Sequence, residues 1–152
     1  MALAMKEAEK AYKKAEVPVG AVIIKDDKVV SRGHNTKETT DDPTAHAEIL
    51  TLKRAAKKLG AWRLTDTTLY VTLEPCLMCM GAIVQARVTR LVFATMDPKA
   101  GACGSLYDIG ADKRLNHLVD VTRGVMQAEA SGILKMFFKE LREKPNGGNC
   151  GI

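Results

Sequence analysis

Four residues have types and spacing that could do chemistry: His46 and Glu48 in the triplet His46-Ala47-Glu48, and Cys76 and Cys79 in Cys76-Leu77-Met78-Cys79. Residues three apart on a helix share a face, so if Cys76 and Cys79 open a helix their sulfurs can hold one metal ion. A helix amino terminus also favours thiolate, the form that binds zinc. A third ligand must come from elsewhere, and His46, at the start of the preceding helix, is the natural candidate. Three protein ligands on one Zn2+ per chain leave the fourth tetrahedral position to water or hydroxide, which is a catalytic layout rather than a closed structural one. Zinc can lower the pKa of its water from 15.7 to about 7, so a nucleophile is available at neutral pH. Glu48 is suited to take the water's proton, pass it to a ring nitrogen and protonate a leaving amine. One point of spacing argues against this: residues two apart in a helix of 3.6 residues per turn lie roughly 200° apart. His46 and Glu48 can face one point only where a first turn lets a long glutamate fold round the helix end.

Plainer readings compete. A Cys-x-x-Cys pair also serves thioredoxin-like redox chemistry, which leaves His46-Ala47-Glu48 unexplained. A purely structural zinc site would need a fourth ligand, for which Cys103 is the obvious spare. Otherwise Cys103 and Cys150 read as ordinary thiols, and His34 and His117 as hydrogen-bonded structural histidines. Trp62, Met78 and Met80 are expected to fill core or a dimer contact.

The elements that must position these residues follow from the apolar pattern. The 152 residues, 46% hydrophobic and 27% charged, suit one soluble domain over 1–144 with a frayed Gly/Asn-rich tail over 145–152. No apolar run is long enough for a membrane span and no secretory signal is visible, so a cytoplasmic protein is expected. The net charge of +5 makes an anionic partner plausible. Apolar residues at three-and-four spacing predict a helix from Met1 to about Glu16, stopped by Pro18. Val19–Lys25 and Lys28–Arg32 read as a hairpin turning at Asp26-Asp27. Thr44 is the expected N-cap of a helix beginning near Ala45 and stopped by Gly60. Strands are expected at Thr67–Leu73, Arg90–Thr95 and Val119–Arg123, with helices from Pro75 to about Arg87 and over Met126–Lys144. Asp97–His117 shows no clean period. This alternation implies α/β architecture, with helices on both faces of a mixed sheet.

His46-Ala47-Glu48 with Pro75-Cys76-Leu77-Met78-Cys79 matches the zinc-deaminase signature. With Glu16-Val17-Pro18-Val19-Gly20-Ala21, Asp42-Pro43-Thr44-Ala45, Leu69-Tyr70-Val71-Thr72-Leu73-Glu74 and Asn116-His117, the chain resembles bacterial tRNA-specific adenosine deaminases from about Met1 to about Arg142. The resemblance implies a three-layer α/β/α cytidine-deaminase-like fold with a five-stranded mixed sheet, a homodimer, and a tRNA substrate whose wobble adenosine becomes inosine. It places Asn35, Val17 and the backbone of Ala47 around a flipped adenine, and Asp97, Lys99, Phe137 and Phe138 near the anticodon loop. The same zinc chemistry could serve a free base or nucleoside of the cytosine or guanine type, and a non-catalytic zinc-stabilised RNA-binding module is a further reading. The lysines of the first and last helices fit either solvated faces or, in the last helix, an RNA footprint. Phe137 and Phe138 are adjacent and cannot both face the core of one helix.

Overall fold

The computed structural model describes residues 1–143, so the expected tail lies outside the described residues. The elements run α1 (Ala2–Lys13), β1 (Gly20–Lys25), β2 (Lys28–His34), α2 (Lys37–Thr40), α3 (Ala47–Leu59), β3 (Thr68–Leu73), α4 (Leu77–Gln85), β4 (Arg90–Thr95), β5 (Asp120–Arg123) and α5 (Gln127–Glu143). A single 3-10 turn, Ile109–Ala111, interrupts the stretch between β4 and β5.

Helix α1 buries Ala4, Met5, Ala8 and Ala11, the stripe its spacing predicts. It ends before Pro18. Ala15 adopts φ 57°, and the amides of Lys14, Ala15 and Glu16 donate back to the carbonyls of Ala11 and Tyr12, closing the helix from its own last turn. The hairpin turns where expected because Asp26 and Asp27 both take left-handed φ, 48° and 57°, the pairing that a two-residue type I′ turn needs.

The sheet order is β2-β1-β3-β4-β5. β1 pairs antiparallel with β2 and β3, while β3, β4 and β5 run parallel, so the sheet is mixed and five-stranded. Alternation along each strand divides the core. Ala21, Ile23, Leu69, Val71, Leu91 and Phe93 face α3 and α4 in the main core, whereas Ala94 joins Met5 and Ala130 under α1 and α5. Three layers result. Phe93 has no exposed surface, and truncating such a side chain to Ala costs about 3–5 kcal/mol. Contact between α1 and β1 depends on Gly20, where an added Cβ would lie 2.1 Å from the Ala4 carbonyl oxygen.

Trp62 does not fill the core, the first of its two expected roles. It is 59% exposed, with the Arg63 guanidinium 4.6 Å from its ring, because it follows the Gly60 stop of α3 and lies outside the layers. Met80 is fully buried and Met78 is at the surface, because residues two apart on α4 point to opposite sides of the helix.

Candidate active site

Two helix amino termini meet at one point, with His46 and Cys76 as their caps and Glu48 and Cys79 in their first turns. Helix α3 starts at Ala47 with His46 as its N-cap, not with Thr44. Thr44 is occupied elsewhere: its amide and hydroxyl both donate to Asp42 Oδ1. The free amide of Ala47 is met instead by Asn35 Oδ1, at 2.9 Å, from the end of β2. His46 therefore has extended backbone, φ −75° and ψ 151°, and lies outside the helix. The 200° argument against His46 and Glu48 does not apply to such a residue, and both side chains open on the same cavity.

Cys76 has the same role in α4. It is the N-cap, extended at ψ 174°, and Cys79 follows in the first turn. His46 Nδ1 lies 3.8 Å from Cys76 Sγ and 3.5 Å from Cys79 Sγ, and the three potential ligand atoms all lie within 4.8 Å of one another. One nitrogen and two sulfurs at that separation form a soft donor set suited to a tetrahedral metal ion. Cys103 is fully buried elsewhere and does not belong to this group. Hydrogen bonding from the Cys79 thiol and from His46 holds the Cys76 pKa down to about 4 against the opposing effect of burial. The same sulfur–sulfur hydrogen bond, with burial, pushes Cys79 up. The hydrogen bond to Cys76 likewise raises His46.

A cavity of about 200 Å³ opens over this group. His46, Glu48 and Cys76 line it together with Val17, Val19, Asn35, Leu73, Asp97 and Ala100. Burial raises the Glu48 pKa.

A family model described as MafB19-like deaminase matches residues 1–142. The tRNA-specific adenosine deaminase of Bacillus subtilis (strain 168) is 49% identical over 141 residues, 93% of this chain and 88% of that protein. The chain belongs to the tRNA-specific adenosine deaminase family. Among solved structures, a tRNA:A34 deaminase described for A-to-I editing at the wobble position matches with a TM-score of 0.85 and 42% identity, covering 88% of this chain and 97% of that one. A guanine deaminase from Bacillus subtilis matches with a TM-score of 0.61 and 31% identity, covering 97% and 94%.

In this deaminase the remaining expected site residues are distributed unevenly. Asn35, Val17 and Asp97 line the cavity. Ala47 is fully buried and its amide is committed to Asn35. Lys99 is exposed beside Asp97, to whose carboxylate its amide donates. Phe137 and Phe138 do not line the cavity. Phe137 is buried edge-on against Tyr12, with ring centroids 6.0 Å apart, and Phe138 is half-buried against Phe137. His34 bonds Glu7 and His117 bonds the Val88 carbonyl, the structural roles expected of them.

Two buried carboxylates on the cavity wall, Glu16 and Glu74, were not singled out from sequence. Glu16 accepts from the amides of Glu38 and Thr39 and from the Thr39 hydroxyl, closing the open amino end of α2. Glu74 accepts from the amides of Asp97, Cys103 and Ser105 and from the Ser105 hydroxyl. Their positions directly before Val17-Pro18 and Pro75-Cys76 were the available signal, since a charged residue inside an apolar run needs partners when buried.

Proposed function

We propose that this deaminase hydrolyses the wobble adenosine of a tRNA anticodon to inosine, releasing ammonia from C6, with Zn2+ held by His46, Cys76 and Cys79. The observation that carries the reading is one cavity holding His46, Cys76, Glu48 and Asn35, in a chain 49% identical to a tRNA-specific adenosine deaminase. The zinc ion, when bound, supplies a Lewis acid that makes water a competent nucleophile near neutral pH.

Glu48 carries the protons. Its carboxylate is buried beside His46 and the two cysteines, where desolvation makes it a better proton acceptor than a surface glutamate. It takes one proton of the attacking water and delivers it to the ring nitrogen beside C6, then takes the second from the new C6 hydroxyl and gives it to the departing amine, so that the C6 carbonyl forms as ammonia leaves. Asn35 orients the base: Oδ1 is fixed on the Ala47 amide, which leaves the NH2 end to donate to a purine acceptor. Val17, Val19 and Leu73 offer apolar walls to the ring faces. Roughly 30 Å³ per water makes this cavity worth six or seven waters, room for one extruded heterocycle rather than a strand. Asp97 and Lys99 at its mouth contact neighbouring nucleotides. Because Phe137 is committed to Tyr12, stacking at the last helix falls to Phe138.

Exposed Leu77 and Met78 on α4 favour a homodimer, which light scattering would test against a monomer. No helix among the described residues is long and apolar enough to cross a membrane. A tRNA substrate suits cytoplasmic action by residues 1–144 as one domain. The likeness to a guanine deaminase supports a second reading, free-base deamination. Incubation with tRNA bearing an unmodified wobble adenosine, and separately with guanine, cytosine and adenosine, separates the two. Inosine in the tRNA is expected; turnover of the free compounds alone would overturn the proposal.

A further inference from the structure

The segment from Met96 to Tyr107 supplies one wall of the cavity, yet it contains no helix or strand to hold it in place. Its order comes from what lies just before the metal-ligating cysteines. The Glu74 amide donates to the Thr95 carbonyl, and the Ala102 amide donates to the Pro75 carbonyl at 2.8 Å. Cys76 and Gly101 form an isolated antiparallel bridge. Between these backbone stitches sits the Glu74 side chain, 2% exposed. Its Oε2 accepts from the Asp97 amide and the Ser105 hydroxyl, and its Oε1 from the amides of Cys103 and Ser105 at 2.9 and 3.0 Å.

A carboxylate offers about four lone-pair sites, and here four donors from three points of one loop fill them. No lone pair is left over for substrate or for proton transfer. The loop closes so tightly that a Cβ on Gly101 would lie 2.3 Å from Glu74 Oε2 and 2.6 Å from the Asp97 carbonyl oxygen. Asp97 and Ala100, the two cavity-lining residues of the loop, lie between the first of those donors and Gly101.

We propose that Glu74 is a positioning residue for the reaction, a carboxylate hub around which the Met96–Tyr107 loop is folded so that Asp97 and Ala100 form a fixed substrate wall beside Cys76. It acts on substrate seating and leaves the chemical step to Glu48. The proposal rests on the deaminase reading for its kinetic arm only.

Replacing Glu74 with Gln keeps the shape but leaves one carbonyl oxygen with two lone pairs, and turns an NH2 donor towards other donors. The full-length E74Q chain should bind zinc at the wild-type stoichiometry and show KM for tRNA raised about tenfold or more, with kcat changed less than about threefold. Amide hydrogen exchange reads the loop without any turnover: protection at Asp97, Cys103 and Ser105 should fall about tenfold while the amides of β4 keep theirs. Should E74Q fail to fold, Gly101→Ala, which pushes on the same carboxylate from the loop side, and Ser105→Ala, which removes one donor, should raise KM in the same sense. Unchanged KM and unchanged loop protection in these variants would overturn the proposal, as would metal loss in step with activity. If wild-type protein leaves tRNA unedited while the exchange result holds, the substrate assignment fails and the hub stands.

Discussion

Glu48 differs from the other two buried carboxylates on the cavity wall in what its oxygens are asked to do. Glu16 and Glu74 are held by amides and hydroxyls of the loops they organise. Glu48 instead is buried beside His46 and the two cysteines, and burial raises its pKa, so it is the carboxylate placed to exchange a proton. Glu48→Gln should therefore retain metal and RNA binding while turnover falls by a factor on the order of 10²–10⁴, the usual contribution of general acid–base catalysis. Metal analysis beside a single-turnover tRNA assay checks both halves, and wild-type turnover would remove Glu48 from its assigned role. Cys79→Ala should behave otherwise, losing metal and activity together, because two donors cannot replace three at this site. The cluster of His46, Cys76 and Cys79, which could hold a metal ion, was legible in sequence because ligand chemistry fixes residue type and spacing. The Glu48 geometry was not, since it depends on the extended backbone that makes His46 a cap rather than a helical residue.

At the scale of elements, what could be read from sequence depended on whether local or distant contacts set the boundary. Strand β4 coincides with the predicted Arg90–Thr95 because its apolar run is bounded by its own residues. The start of α3 was displaced because Asn35, twelve residues before Ala47, supplies the acceptor that Thr44 does not. Helix α2 was missed for a similar reason: its amino end is capped from Glu16. That contact has a pH signature. Burial raises the Glu16 pKa, but the Thr39 hydroxyl, the amides of Thr39 and Glu38 and the charge of Lys37 outweigh it and hold the carboxyl below its ordinary value. A depressed carboxyl contributes stability above its unfolded pKa and loses it as pH falls through the folded one. Urea midpoints measured from about pH 7 down to about pH 3 should fall less steeply for Glu16→Gln than for wild type. Parallel curves would show that Glu16 titrates alike in both states. Helix α5 offers a test of opposite sign. It runs unbroken through Gly132, which is exposed, and an added Cβ there would meet nothing within 4 Å. Gly132→Ala should stabilise the protein by up to about 1 kcal/mol, read as a raised urea midpoint at constant slope.

Over the whole molecule, charge separates a polyanionic substrate from a neutral base. A net charge of +5 spread over 152 residues is modest, so RNA affinity depends on cations placed where the strand runs past the cavity. Lys37 lines the cavity, and Lys99, Lys113 and Arg114 are exposed on the stretch between β4 and β5. Asp112 accepts the Arg114 guanidinium and holds that side chain against its own loop, whereas Lys37 makes only an exposed, displaceable pair with Glu38 at 3.4 Å, so Lys37, Lys99 and Lys113 are assigned as the phosphate partners. Each phosphate neutralised on a single strand contributes about −0.7 to the slope of log affinity against log salt, so three contacts give a slope near −2 and roughly an eighteenfold loss of affinity between 50 and 200 mM. KM for tRNA should rise in that proportion while kcat stays flat, because salt competes for the phosphate contacts and not for the groups that carry the chemical step. Replacing Lys99 with Ala should reduce the slope by about 0.7 without altering the zinc content. A free base carries no phosphate, so guanine or cytosine turnover would show no such salt dependence. A salt-independent KM for tRNA would detach this basic surface from substrate binding even if the deaminase chemistry held.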